Sequence, residues 1–117
     1  MKMILVVKKK WGNEIFHCGK DWEIRGCSTK KRGIVRIAVS GTGLVIGEVT
    51  LCNVLPLTRE IWETNKKHHH VNMTWDELIK IYKKPYAWVM TEQHEYTVPE
   101  KYYHPRGAVI WIKEQND

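Results

Sequence analysis

A chain of 117 residues with 43% hydrophobic and 27% charged residues has the balance of one globular domain over residues 1–117, not that of a disordered segment or a two-domain enzyme. Nineteen lysines and arginines against 13 acidic residues leave a formal charge of +6, a field that favours a polyanionic partner, although a basic protein without one can share that composition. The three cysteines include no CxxC pair, which argues against a disulfide framework or a zinc ribbon, points to a reducing cytoplasmic setting and leaves no metal or other cofactor to expect.

Residues 2–7 are rich in β-branched side chains and read as a first strand, ended by the run Lys8-Lys9-Lys10. This apolar start is too short for a signal peptide, and nothing further along is long enough to span a membrane. Trp11, Ile15, Phe16 and Cys18 recur at near-helical spacing, with Gly19 where a helix-ending glycine would stand. A short helix over 11–18 therefore delivers the chain to Lys20. If 21–25 is extended, Trp22 and Ile24 share one face and Asp21, Glu23 and Arg25 the other. That pattern fits a strand with a solvated charged face, or one whose charged face floors a site. Residues 26–32 form a cationic loop carrying Lys30, Lys31 and Arg32, and Gly33 opens an apolar strand over 34–39.

Ser40-Gly41-Thr42-Gly43 is a hairpin turn into a long strand over 44–55. Gly47 within it is expected at a bulge or a close backbone approach, and Pro56 closes it. Thr58 can cap a short helix containing Ile61 and Trp62, after which 65–71 reads as a polar loop. Thr74 and Glu77 fit a capping box whose helix carries the stripe Leu78, Ile79 and Tyr82 and stops at Pro85. A strand over 86–90 resumes at 95–98. A loop over 102–105, a turn at Arg106-Gly107 and a last strand over 108–113, with Val109 and Trp111 on one face, complete the chain. Short strands, tight turns and two or three short helices describe an α+β fold built on a small mixed β-barrel.

Several of these features carry a resemblance when taken in order. Gly-Lys-x-x-Glu-x-Arg at Gly19 to Arg25, Arg32-Gly33 opening an apolar strand, Gly47-Glu48-Val49, Pro85-Tyr86-Ala87-Trp88 and the strand from Gly107 to Trp111 together resemble the ASCH domain, the activating-signal cointegrator homology family. The resemblance runs over residues 3–113. It implies a PUA-like β-barrel beside a cleft that accepts RNA, DNA or a nucleoside, with Lys20, Glu23 and Arg25 at the characteristic polar positions; of the nucleic acids, RNA is expected over DNA. In such a cleft the cations would hold phosphate or a carbonyl oxygen, and the carboxylate would accept from an exocyclic amine.

Some members of that family are amidohydrolases that deacylate N4-acetylcytidine with a lysine, a threonine three positions later and a glutamate from the loop before a capped helix. Others are ribonucleases. Lys20 matches the lysine, but Glu23 stands where the threonine would be and Val71 where the glutamate would be. The resemblance thus implies binding first, with hydrolysis by Lys20 and Glu23 as the alternative. A lysine of depressed pKa can act as base or nucleophile, yet a close glutamate would raise that pKa and favour an ion pair.

Trp11, beside the lysine run, is the aromatic expected at the mouth of the cleft, whereas Trp22, Trp88 and Trp111 read as core. Lys30, Lys31 and Arg32, together with Lys8, Lys9 and Lys10, form either a phosphate-tracking rim or a solvated surface. Arg32 and Arg106 are equally suited to tying down their turns. His68, His69 and His70 are adjacent, so they point apart and read as a solvated loop rather than a metal site. His17, Cys18 and Cys27 lack zinc spacing, with Cys18 packed on its helix. The expectation is a monomer that binds nucleic acid or a nucleoside and does not bind a membrane.

Overall fold

The computed structural model describes residues 3–106 and 111–113. In chain order they form β1 (Met3–Val7), α1 (Lys9–His17), β2 (Trp22–Arg25), β3 (Gly33–Val39), β4 (Leu44–Pro56), α2 (Arg59–Thr64), α3 (Lys66–His69), α4 (Trp75–Ile81), β5 (Tyr86–Lys101) and β6 (Trp111–Lys113). The strands make one sheet, in the order β2-β5-β4-β3-β1-β6, curled into a half-barrel. β1 runs parallel to β3, and the other pairings are antiparallel. This is the α+β, PUA-like architecture expected from the sequence.

Alternation along the strands sorts the core into layers. Leu5 and Val7 of β1 point into the barrel with Val35, Ile37, Val49, Leu51, Trp88 and Met90, and Ile15 of α1 closes that cluster. Ile4 and Val6 join Ala38, Val45 and Ile112 on the opposite face. Both faces of β1 are covered, which is why its sequence is apolar without a break. A second core lies where Trp22 and Ile24 of β2 and Ala87 of β5 meet Leu57, Trp62, Val71 and Leu78. Each fully buried Leu, Ile or Val in these clusters contributes roughly 2 kcal/mol.

Gly47 sits at a register shift between β4 and β5. A Cβ there would lie 2.6 Å from both the His94 carbonyl oxygen and the Phe16 ring, so glycine is what lets α1 close on the sheet. Thr58 caps α2 through the Ile61 N–H, and Thr74 and Glu77 complete the capping box of α4.

Four local expectations change. The helix starts at Lys9, so most of the lysine run belongs to it: Lys8 is the extended N-cap and the next two lysines are good helix formers. Cys18 is exposed instead of packed, because the helix ends at His17 and Cys18 turns away as its C-cap. The 65–71 segment contains α3, which brings the helices among the described residues to four. β5 is continuous, and the break expected after residue 90 survives only as a left-handed residue, Glu92, at φ 53°. Gly107 of the predicted turn and Val109 of the predicted last strand lie outside the described residues. Among those described, no helix is long and apolar enough to cross a membrane.

Candidate functional site: a cavity at the free edge of β2

β2 pairs with β5 and stands at one end of the sheet. Its other edge is approached by α1 and by the 65–71 segment. Gly19, at φ 79°, turns the chain out of α1, and the Lys20 N–H donates to the Glu14 carbonyl at 3.0 Å, which closes the helix. The Asp21 N–H then donates to the His68 carbonyl at 3.2 Å, and the Asp21 carboxylate meets His68 Nδ1 at 2.8 Å. His68 also stacks on Trp22, with centroids 5.1 Å apart. These contacts pin α3 to the start of β2.

Between them Lys20 is held almost wholly out of water, at 1% exposure. Its ammonium donates to the His69 carbonyl and lies 4.4 Å from the centre of the Trp11 ring. Burial dominates its protonation and pulls the pKa down to about 8, against the opposing pull of the Glu23, Glu14 and Asp21 carboxylates. The expected Lys20–Glu23 ion pair is absent. Glu23, also buried, is paired instead with Arg25: Nε at 3.1 Å and Nη2 at 2.8 Å both reach Oε2. Oε1 takes no hydrogen bond from the described residues.

His69 is the buried member of the three histidines, at 2% exposure. Its Nδ1 accepts from the Val71 N–H at 3.0 Å, which leaves Nε2 protonated and donating to the Trp62 carbonyl at 2.9 Å. The ring stacks on Trp62 at 3.7 Å, and burial pushes its pKa below the usual histidine value. The solvated loop expected for residues 68–70 is therefore corrected here: His69 is structural because both ring nitrogens satisfy buried backbone groups. The three rings do diverge, His68 toward Asp21, His69 toward Trp62 and His70 toward the Glu14 carboxylate at 3.4 Å.

Lys20 and Glu23 line a cavity of about 220 Å³. Lys8 and Trp11 enter it from the start of α1, Ile24, Val71 and Leu78 form its apolar wall, and Met73, Ile81 and Tyr82 stand around it from the α4 side. Glu23 and Ile24 occupy opposite faces of β2 and both touch the cavity, so it wraps the strand edge. Among the described residues, Glu23 is the one carboxylate in its lining. Val71 stands in the wall, and Glu77 is spent on the capping box.

The predicted residues thus separate into groups. Trp11, Lys20 and Glu23 converge on the cavity. Arg25 lies behind Glu23, with Nη2 donating to the Val6 carbonyl at 3.0 Å and its guanidinium over Trp88, so it holds the carboxylate and does not face the opening. Lys30, Lys31 and Arg32 are exposed outside the lining, and Arg32 donates to the carbonyls of Thr29 and Lys31 within its own loop. Lys8 lines the cavity, whereas Lys10 sits over the Trp11 ring at 4.8 Å. Sequence reasoning did not single out Met73, Tyr82 or the His69 carbonyl. Tyr82 carried a signal only as part of an apolar helical stripe, and a carbonyl carries none.

No family model matches the sequence, and neither does any curated protein. Solved structures do share the fold. An ASCH protein of Zymomonas mobilis superposes with a TM-score of 0.62 at 12% identity, over 80% of this chain and 69% of that one. Two single-residue variants of it give 0.71 at 13% identity, over 96% of this chain and 88% of that one, and 0.66 at 13%, over 86% and 75%. At such identity the likeness speaks for the fold alone, which is ASCH-like.

Proposed function

We propose that this ASCH-like chain binds single-stranded RNA by taking one unpaired base into the Lys20 cavity. The observation that carries the reading is a buried donor, Lys20, and a buried acceptor, Glu23, lining one small pocket with apolar walls. The Lys20 ammonium can donate to a base carbonyl or ring nitrogen, while Glu23 Oε1 can accept from an exocyclic amine. A cavity of about 220 Å³ suits a single base and not a duplex, whose bases are stacked inside the helix. Met73, Ile81 and Tyr82 supply apolar contact for the faces of a base, and Lys8 adds a cation for phosphate. Arg25 serves by fixing the carboxylate.

The test is fluorescence titration with an unstructured RNA oligomer and with a hairpin of the same composition. Binding should favour the unpaired strand, weaken from roughly 50 to 200 mM salt and be lost in Lys20→Met. Equal affinity for the hairpin, or no binding at roughly 100 μM protein, would overturn the proposal.

One observation favours hydrolysis as a second reading. With a pKa of about 8, roughly a tenth of Lys20 is neutral at pH 7, enough to supply a base or nucleophile in the cavity. Glu23 in the threonine position and Val71 in the glutamate position weigh against the amidohydrolase form of that chemistry. Absorbance-monitored incubation with N4-acetylcytidine tests its amidohydrolase form: turnover that disappears in Lys20→Met supports an enzyme, and no turnover removes that form.

A further inference from the structure

A second cleft, of about 420 Å³, adjoins the cavity and, among the described residues, has only Val71 and Met73 in common with it. One stretch of chain therefore separates two compartments. The larger is bounded by Trp62, Glu63, Lys66, Asn72 and Glu77 in addition to the shared wall. From this arrangement we infer that the ligand spans two nucleotides, one base in the Lys20 cavity and its neighbour in the larger cleft, with the connecting backbone passing over Met73. The inference rests on the reading of the cavity as a base pocket.

The charges of the larger cleft at first oppose an anionic ligand, since two carboxylates line it. Both are occupied. Glu77 accepts from the Thr74 N–H at 3.0 Å as part of the capping box, and the Glu63 carboxylate lies 3.9 Å from the Arg59 guanidinium. Lys66 differs: it is exposed and has no ion-pair partner among the described residues. Lys8, on the other side of the partition, is exposed and equally without a partner. Each compartment thus presents one uncommitted ammonium. A lone nucleoside would leave both without a counter-charge, whereas a strand running across the partition brings phosphate to them.

The larger cleft also has groups a base can use. Asn72 is exposed and presents an amide with donors and an acceptor, the complement of a base edge. Met73 is 38% exposed and gives a polarisable surface against a ring. Trp62 is less available, because His69 covers one of its faces at 3.7 Å. The second base is therefore held by its edge and by the thioether more than by aromatic stacking.

The experiment compares three ligands on the full chain by calorimetry: a nucleoside, a dinucleotide, and the same dinucleotide with its second base removed. The intact dinucleotide should bind roughly tenfold tighter than the abasic form, the usual worth of one base contact. Asn72→Ala should narrow that ratio. Lys66→Ala should weaken dinucleotide binding about fivefold and leave nucleoside binding unchanged. Equal binding of the intact and abasic dinucleotides, with the nucleoside still bound, overturns the two-nucleotide footprint and leaves the base pocket standing. Failure of all three ligands, and of a longer unpaired RNA, overturns the base pocket and the footprint with it.

Discussion

The side-chain ammonium of Lys20 donates to the main-chain carbonyl of His69, 49 residues further along the chain. This bond ties the α1–β2 connection to α3 and forms one corner of the cavity. It also joins a cation that burial makes costly to a histidine that burial keeps neutral. The stability of the fold and the competence of the site therefore meet in these two residues.

Lys20 is expected to reduce stability. Its pKa of about 8 lies below the ordinary 10.5, so between these values the unfolded chain binds more protons than the folded one and stability rises with pH. Below pH 8 the whole cost is present, about 3 kcal/mol. Lys20→Met removes it but leaves the His69 carbonyl without its donor, which costs about 1 kcal/mol. Urea unfolding at pH 7 should find the variant about 2 kcal/mol more stable, without the rise above pH 8. A variant that is less stable at pH 7 would contradict the burial cost.

Glu23 and Arg25 behave as a unit. Their side chains are 5% and 15% exposed, so removing either leaves the other charged in an apolar setting. Arg25→Met should destabilise the fold by about 3 kcal/mol, and Glu23→Gln by a comparable amount. The double variant should recover most of the loss, since no unpaired charge remains. Additive losses in the double-mutant cycle would sink the idea that the pair works as one element.

Much of the fold was written in local patterns. Alternation around Trp22 and Ile24, the Thr74–Glu77 capping box and the glycine at position 47 each correspond to a short-range physical requirement, and each element stands where that requirement puts it. The site was legible only in part. Trp11, Lys20 and Glu23 meet because α1 leads straight into β2, a local matter. Arg25 turned inward because the Val6 carbonyl and the Trp88 ring, distant in sequence, offered it partners. His69 was unreadable for the same reason: its partners are backbone groups of Trp62 and Val71, and backbone groups leave no mark on composition.

His69 should make the protein sensitive to mild acid. Its folded pKa lies below the ordinary 6.5, so the unfolded chain takes up the proton first as pH falls through that value. The His69 contribution to stability should be level above neutrality and decline below about pH 6.5. Protonation would also put a donor at Nδ1, facing the Val71 N–H, and disturb the carbonyl that holds Lys20. The His69 ring proton shifts, followed by NMR, should report less than half protonation at pH 6.5, where a solvated histidine is half protonated. A half-titrated His69 at that pH would refute the buried role.

Lys8 and the pair Lys30 and Lys31 were equal candidates for a phosphate rim in the sequence, and the cavity now distinguishes them. Lys8 lines it without a partner among the described residues, whereas Lys30 and Lys31 stand on an exposed loop outside the lining. Each direct phosphate contact with a single strand adds about 0.7 to the slope of log affinity against log salt. Lys8→Ala should lower the slope for an RNA oligomer by about that amount, while Lys30→Ala with Lys31→Ala changes it little. All three side chains are exposed, so thermal stability should stay within about 0.5 kcal/mol of the parent and the comparison reads binding alone. A larger slope change from the Lys30 and Lys31 pair would move the RNA path off the β2 edge and onto the 26–32 loop.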